Sequence, residues 1–103
     1  MTEAKYISDQ QQRLLQLIRT LAGNEIEGLA PGQIAKLLPC LPSQVTRDLA
    51  NLKHVGWAEE IPTTGRWRLG PQIVQISTRH ATALARASQR LAEVNNRYSR
   101  SES

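Results

Sequence analysis

Three residues, Pro39-Cys40-Leu41, separate two stretches of helical periodicity. The first, "LAPGQIAKLLP", opens on Pro31, a residue suited to a first helical position because its missing N–H has no partner there anyway. Ile34, Ala35 and Leu38 share one face before Pro39 ends the pattern. Ala30 is a poor N-cap, so this helix is expected to lean on packing. The second, "LPSQVTRDLANLKHVG", opens at Pro42, carries the stripe Val45, Leu49 and Leu52, and closes at Gly56. Two helices joined this tightly form a helix-turn-helix.

The flanks complete the unit. In "ISDQQQRLLQLIRTLAG", Ser8 caps a helix, Gln11 completes a capping box and Ile7 staples the entry. Leu14, Leu17, Ile18 and Leu21 recur at helical spacing, and Gly23 fits the stop. Beyond Gly56, "WAEEI", "PTTG" and "RWRL" read as strand, turn and strand. Trp57, Glu59 and Ile61 share one face. Trp67 and Leu69 share a face opposite Arg66 and Arg68. The fold expected over 8–70 is therefore mainly α with a small β-hairpin: a winged helix-turn-helix, three helices plus wing. Gly70-Pro71 then starts a long C-terminal helix over 71–98, about 42 Å at 1.5 Å per residue. Residues 1–7 read as a flexible lead and 99–103 as a disordered tail.

With no Phe, the core must come from Leu, Ile, Val and the two Trp. The single Cys40 rules out an internal disulfide, and no Cys/His metal spacing or cofactor motif is present. No nucleophile–base pairing or Gly-rich phosphate loop supports an enzyme. Cys40 reads as a structural thiol despite His54 downstream. The start has no apolar leader, and no run approaches the roughly 20 residues of a membrane span. A cytoplasmic, nucleoid-associated protein is expected.

Charge is asymmetric. Residues 1–61 hold six Lys/Arg and seven Asp/Glu, while 62–103 hold seven Arg and two Glu, so −1 is followed by +5. A basic half of this kind points to a polyanionic partner. In a helix-turn-helix the second helix enters the major groove. With Val45, Leu49 and Leu52 inward, helix 42–55 presents Ser43, Gln44, Thr46, Arg47 and Asn51, side chains able to read bases or hold phosphates. Asp48 is a counter-signal, read as orienting Arg47 or lying at the edge. The wing, 61–68, has a polar tip of Thr63, Thr64 and Gly65 with free backbone amides. Thr64, Arg66 and Arg68 are candidates for phosphate contact, with Arg68 alternatively pairing Glu59 or Glu60. Trp67 and Leu69 anchor the hairpin to the core.

In the last helix Ile73, Ser77, His80, Leu84, Ala87, Leu91, Val94 and Tyr98 step by four and three, a heptad-like seam. Leu84, Leu91, Val94 and Tyr98 are assigned to homodimerisation, with packing on its own domain as the alternative. Arg79, Arg86, Arg90 and Arg97 fall on other faces, add to the basic field and could touch DNA directly. The competing function is a protein–protein adaptor working through this helix.

The segment "APGQIAKLL…LPSQVTRDLANLKHVGWAEEIPTTGRWRLGPQIVQI" resembles the N-terminal winged-helix domain of the IclR family of bacterial transcription regulators. Ile34-Ala35, Ser43, Val45, Arg47, Leu49, Leu52, Gly56 and "TTGRWRLGP" carry the resemblance, which spans roughly residues 12–76. It implies a double-stranded DNA partner, with Ser43, Gln44, Thr46 and Arg47 on the recognition helix and Arg66 at the wing. Members of that family continue into an effector-binding domain; here no small-molecule effector domain is expected. The small architecture points to a mobile-element protein. Pro39-Cys40 replaces the family's Gly-containing turn, so the angle between the two helices is open.

Overall fold

The computed structural model describes residues 3–102. A 3₁₀ turn over Ala4–Tyr6 precedes α1 (Asp9–Leu21), α2 (Pro31–Leu37) and α3 (Pro42–His54). The hairpin β1 (Ala58–Glu60) and β2 (Trp67–Leu69) follows, then α4 (Pro71–Glu102). This order is a winged helix with a long C-terminal helix. The lead is thus partly structured. The helix also outruns Tyr98, because no Gly or Pro after Pro71 interrupts it. Met1, Thr2 and Ser103 lie outside the described residues.

Local chemistry sets the helix starts. Ser8 Oγ accepts from the Gln11 backbone N–H, the expected cap. Neither Ala30 nor Leu41 has a capping side chain, yet both following helices are closed from the other side. The Ala30 N–H donates to Gln33 Oε1 and the Leu41 N–H to Gln44 Oε1, both at 2.9 Å. A glutamine three residues into each helix thus satisfies a backbone donor that the first turn cannot. Packing alone does not hold α2.

The helices bury one core. Leu17, Leu21, Ile34, Val45, Leu49, Leu52, Leu29 and Ala58 are buried, with Leu14, Ile18, Cys40, Trp57, Trp67 and Leu69 packed against them. Each fully buried leucine or isoleucine contributes about 1.5–3 kcal/mol. The strands pair antiparallel with Ala58 opposite Leu69, Glu59 opposite Arg68 and Glu60 opposite Trp67. Trp67 and Leu69 do turn toward the core, but Trp67 is half-buried. Its truncation therefore costs less than the about 3–5 kcal/mol of a sealed ring.

The connection before α2 is part of the sheet. Leu29 N–H donates to Trp67 O and Trp67 N–H to Leu29 O, each 2.8 Å. Gly28 has φ +70°, and a Cβ there would sit 2.7 Å from Trp67 O. At the other end of the hairpin Gly70 N–H donates to Trp57 O at 2.9 Å. A Cβ on Gly70 would overlap the Gly56 carbonyl and lie 2.9 Å from Ala58 N.

The chain divides into two compact units, Met1–Ile73 and Val74–Ser103. Described side chains from Val74 through Ser99 are all exposed, Leu84 at 59%, Leu91 at 62%, Val94 at 44% and Tyr98 at 68%. No helix is long and apolar enough to cross a membrane among the described residues.

Gly70→Ala should lower stability by about 1–3 kcal/mol through the backbone clash. Gly32→Ala, where nothing lies within 4 Å of the added Cβ, should be neutral or stabilising by up to about 1 kcal/mol. Urea unfolding midpoints of the two variants test this, and equal midpoints would refute the close crossing.

Candidate nucleic-acid interface

The outer face of α3 is defined by what the core leaves uncovered. Val45, Asp48, Leu49 and Leu52 are buried, which leaves Ser43, Thr46, Arg47, Ala50, Asn51, Lys53 and His54 exposed. Four of the five expected recognition residues, Ser43, Thr46, Arg47 and Asn51, therefore share this surface. Gln44 is half-buried at its edge, its carbonyl oxygen occupied by Leu41 N–H. Thr46 Oγ1 donates to Pro42 O at 3.1 Å and Asn51 Nδ2 to Arg47 O at 2.8 Å. Both side chains are thus held along the helix, and Asn51 keeps its amide oxygen as an acceptor.

Asp48 neither orients Arg47 nor faces outward. It is 6% exposed and receives a two-pronged bond from Arg13 of α1: Nε to Oδ2 at 2.6 Å and Nη2 to Oδ1 at 3.1 Å. The bond with Asp48 outweighs partial desolvation and raises the Arg13 pKa above its usual value, so the guanidinium stays charged. Planar guanidinium against carboxylate fixes direction as well as distance. The pair ties α3 to α1 and settles which face of α3 looks out. Sequence reasoning missed it although a signal existed. Arg13 continues the Leu17, Leu21 stripe at i, i+4, i+8, and Asp48 lies beside Leu49 and Leu52. Opposite charges on two buried stripes must meet.

Beside Arg47 and Asn51 the surface dips into a shallow hollow of about 200 Å³ shared with Gln10, Gln11 and Arg13. On the other flank, Thr46, Ala50 and Lys53 of α3 border a hollow of about 270 Å³ with Pro31, Glu60 and Trp67. The Lys53 ammonium stands 6.0 Å from the Trp67 ring centroid, the outer limit of a cation–π contact. Lys53, His54 and Ala50 were not among the expected contacts. Helical spacing would have found them, since they lie seven residues after Thr46, Arg47 and Ser43 respectively.

The wing reverses the expected division of labour. Arg66 turns back into the protein: Nε donates to Glu27 O at 3.0 Å and Gly28 O at 3.2 Å, and Nη2 to Gly28 O and Gln33 Oε1, both at 3.1 Å. Arg68 Nε pairs with Glu59 Oε1 at 2.7 Å across the hairpin, the alternative partner expected for it. Trp67, expected only as an anchor, shows part of its surface in the hollow beside α3. Two of the three tip amides are also occupied, because Thr64 N–H and Gly65 N–H both donate to Ile61 O. Thr64 is exposed, with Oγ1 accepting from Arg66 N–H at 3.2 Å. Among the described residues no group of three or more His, Cys, Asp or Glu could hold a metal.

Neither a protein-family model nor a curated protein matches the chain. Solved structures do. The ORF112 Zalpha domain of Cyprinid Herpesvirus 3, determined for its binding mode to Z-DNA, is 25% identical with a TM-score of 0.52. That likeness covers 61% of this chain and 97% of the viral domain. An IclR family transcriptional regulator from Brucella abortus is 18% identical with a TM-score of 0.64. It is matched over 76% of this chain, which spans only 29% of the regulator. A mutant of MepR from S. aureus is 18% identical with a TM-score of 0.53, over 88% of this chain and 68% of MepR. The winged-helix fold is shown, and the IclR-like resemblance holds at the level of fold.

Double-mutant cycles should separate the two ion pairs. Arg68–Glu59, with partners 36% and 42% exposed, should couple by about 0.2–1 kcal/mol. Arg13–Asp48, at 14% and 9%, should couple more strongly, with Asp48→Ala more destabilising than the Arg13→Met/Asp48→Leu double variant. Arg66→Lys, which keeps charge but removes the fork, should lower the thermal midpoint nearly as much as Arg66→Ala. Recovery by lysine would return Arg66 to the role of a free charge.

Proposed function

We propose that the chain is a sequence-specific double-stranded DNA-binding protein that acts as a transcriptional regulator. The observation that carries this reading is the outer face of α3: Ser43, Thr46, Arg47 and Asn51 stand exposed on a helix whose opposite face is locked by the core and by Arg13–Asp48. α3 enters the major groove, where Arg47 pairs with a guanine edge, Asn51 accepts or donates at an adjacent base, and Ser43 and Thr46 hold phosphates or base edges. The absence of a side chain beyond Cβ at Ala50 allows close approach between them. The wing lies on the flank and is a rigid shape rather than a row of free cations. Thr64 and the unengaged Nη1 edge of Arg66 remain as its contacts, with Lys53 at its base. Two copies joined through Leu84, Leu91, Val94 and Tyr98 of α4 would read a symmetric site, multiplying a single module's modest affinity. Such a protein works in the cytoplasm on the nucleoid.

A second reading has one specific support. The viral Zalpha domain binds Z-DNA, shares this fold over nearly its whole length, and Trp67 opens beside α3 here. On this reading the same face recognises left-handed duplex conformation rather than base sequence.

In vitro selection from random duplexes, with sizing of the complex, tests the first reading: a palindromic consensus bound by two chains is expected. Arg47→Ala should then cost about 1–3 kcal/mol and relax preference at one position. Selection without a consensus removes the sequence-reading role. Titration of an alternating CG duplex followed by circular dichroism tests the second: inversion of the spectrum supports it, and an unchanged right-handed spectrum at saturation eliminates it.

A further inference from the structure

We propose that Arg79, Arg86 and Arg90 of α4 form a track for the phosphate backbone of duplex DNA, separate from the recognition helix and wing. At about 100° per residue the three fall within about 40° of one another, and they span about 16 Å of axis. Arg97 continues the same line. The helix carries one other charged side chain between Val74 and Ser99, Glu93, at the edge of that sector. The rest of its polar surface is neutral, with Thr78, Thr82, Ser88, Gln89 and Asn96 among its members.

Solvation does not require this segregation. A helix needs polar groups around its whole outer face, and spreading the arginines would relieve repulsion. Instead Arg86 and Arg90 stand four residues apart with like charge, an arrangement that weakens a helix. Among the described residues none of the three arginines has an ion pair or side-chain hydrogen bond, in contrast to Arg13, Arg66 and Arg68. Their line lies about 100–160° around the helix from Leu84 and Leu91, so pairing of two helices through those leucines leaves the track open. A straight row of guanidinium groups matches a linear polyanion, and a duplex offers one charge per about 1.7 Å of axis. The inference rests on the DNA-binding reading above and adds a second site to it.

The test uses the full chain and a 30-base-pair duplex, with fluorescence anisotropy between 50 and 200 mM KCl. The Arg79→Gln/Arg86→Gln/Arg90→Gln variant should bind at least tenfold more weakly at 100 mM salt. Its log K against log salt slope should be shallower by about 2–3, since each neutralised phosphate adds about 0.9 to the slope. A second variant adds Thr78→Arg, Ala85→Arg and Ala92→Arg, restoring net charge on another face. It should stay weak, and recovery to wild-type binding would overturn the track in favour of net charge alone. An unchanged slope in the first variant, with Arg47→Ala still weakening binding, refutes the track and leaves the recognition helix standing. Wild-type chain that does not bind duplex at all refutes both. Sedimentation and circular dichroism of each variant should match wild type. A weakening explained by reduced helix content or altered assembly counts against the proposal. Flotation with vesicles of 70% phosphatidylcholine and 30% phosphatidylserine should show no arginine-dependent binding, and binding there with an unchanged duplex slope overturns it for a membrane surface.

Discussion

The backbone of Trp67 is held from two sides, and the placement of the wing against the entry to α2 follows from that. On one edge β2 pairs with β1; on the other, Leu29 exchanges two 2.8 Å hydrogen bonds with Trp67. The residue that precedes the entry to α2 and the strand that leaves the wing are therefore one piece of sheet. Gly28 permits the approach because no Cβ intrudes on Trp67 O. Arg66 closes the same junction from its side chain, binding the carbonyls of Glu27 and Gly28 and the Gln33 amide that caps α2. Wing angle and α2 position are coupled through a handful of polar contacts. The hollow between α3 and Trp67 is the space they leave.

A basic chain does not present its charge uniformly. Three arginines in the winged-helix unit, Arg13, Arg66 and Arg68, have acceptors within the protein. Their charge is partly neutralised, and their geometry serves to hold helices and strands together. What stays open on α3 is Arg47 and Lys53, beside neutral hydrogen-bonding side chains. This suits a surface that discriminates bases, since charge alone adds affinity without sequence information. In the C-terminal half, Arg79, Arg86 and Arg90 of α4 have no ion pair or side-chain hydrogen bond among the described residues.

Helices and hairpin were legible in the sequence because they depend on local periodicity. Val45, Leu49 and Leu52 could face only inward, and Trp67 and Leu69 could share only one strand face. Three things were not legible, and all depend on partners distant in sequence. Alternation placed Arg66 and Arg68 outward but could not show that Glu27 and Gly28 carbonyls stand 39 and 38 residues away, waiting for a donor. The Leu29–Trp67 bridge is a single pair with no strand pattern to announce it. Asp48 looked like a surface charge because its partner lies on another helix, 35 residues back. The sequence does carry a trace of that last contact, an arginine and an aspartate each set into an otherwise apolar stripe.

The C-terminal helix carries two patterns on different sectors of its surface. A seam of heptad spacing drifts about 20° per heptad on a straight α-helix, so it closes only if two helices supercoil. Arg79 and Arg86 are seven residues apart, as are Arg90 and Arg97, and Leu84 and Leu91. Each pair shares the seam's spacing, but the four-residue step from Arg86 to Arg90 resets the drift, so the arginines stay within about 40° of one line along the axis. Supercoiling that brought the leucines of two copies together would leave Arg79 and Arg86 on the outer surface and Arg90 and Arg97 at the seam's edge, outside it. A helix selected only for pairing would have no reason to keep its cations in one sector, and one selected only for charge would not need Leu84, Leu91 and Val94. Both patterns on one helix are what a pairing element that also contacts a polyanion requires.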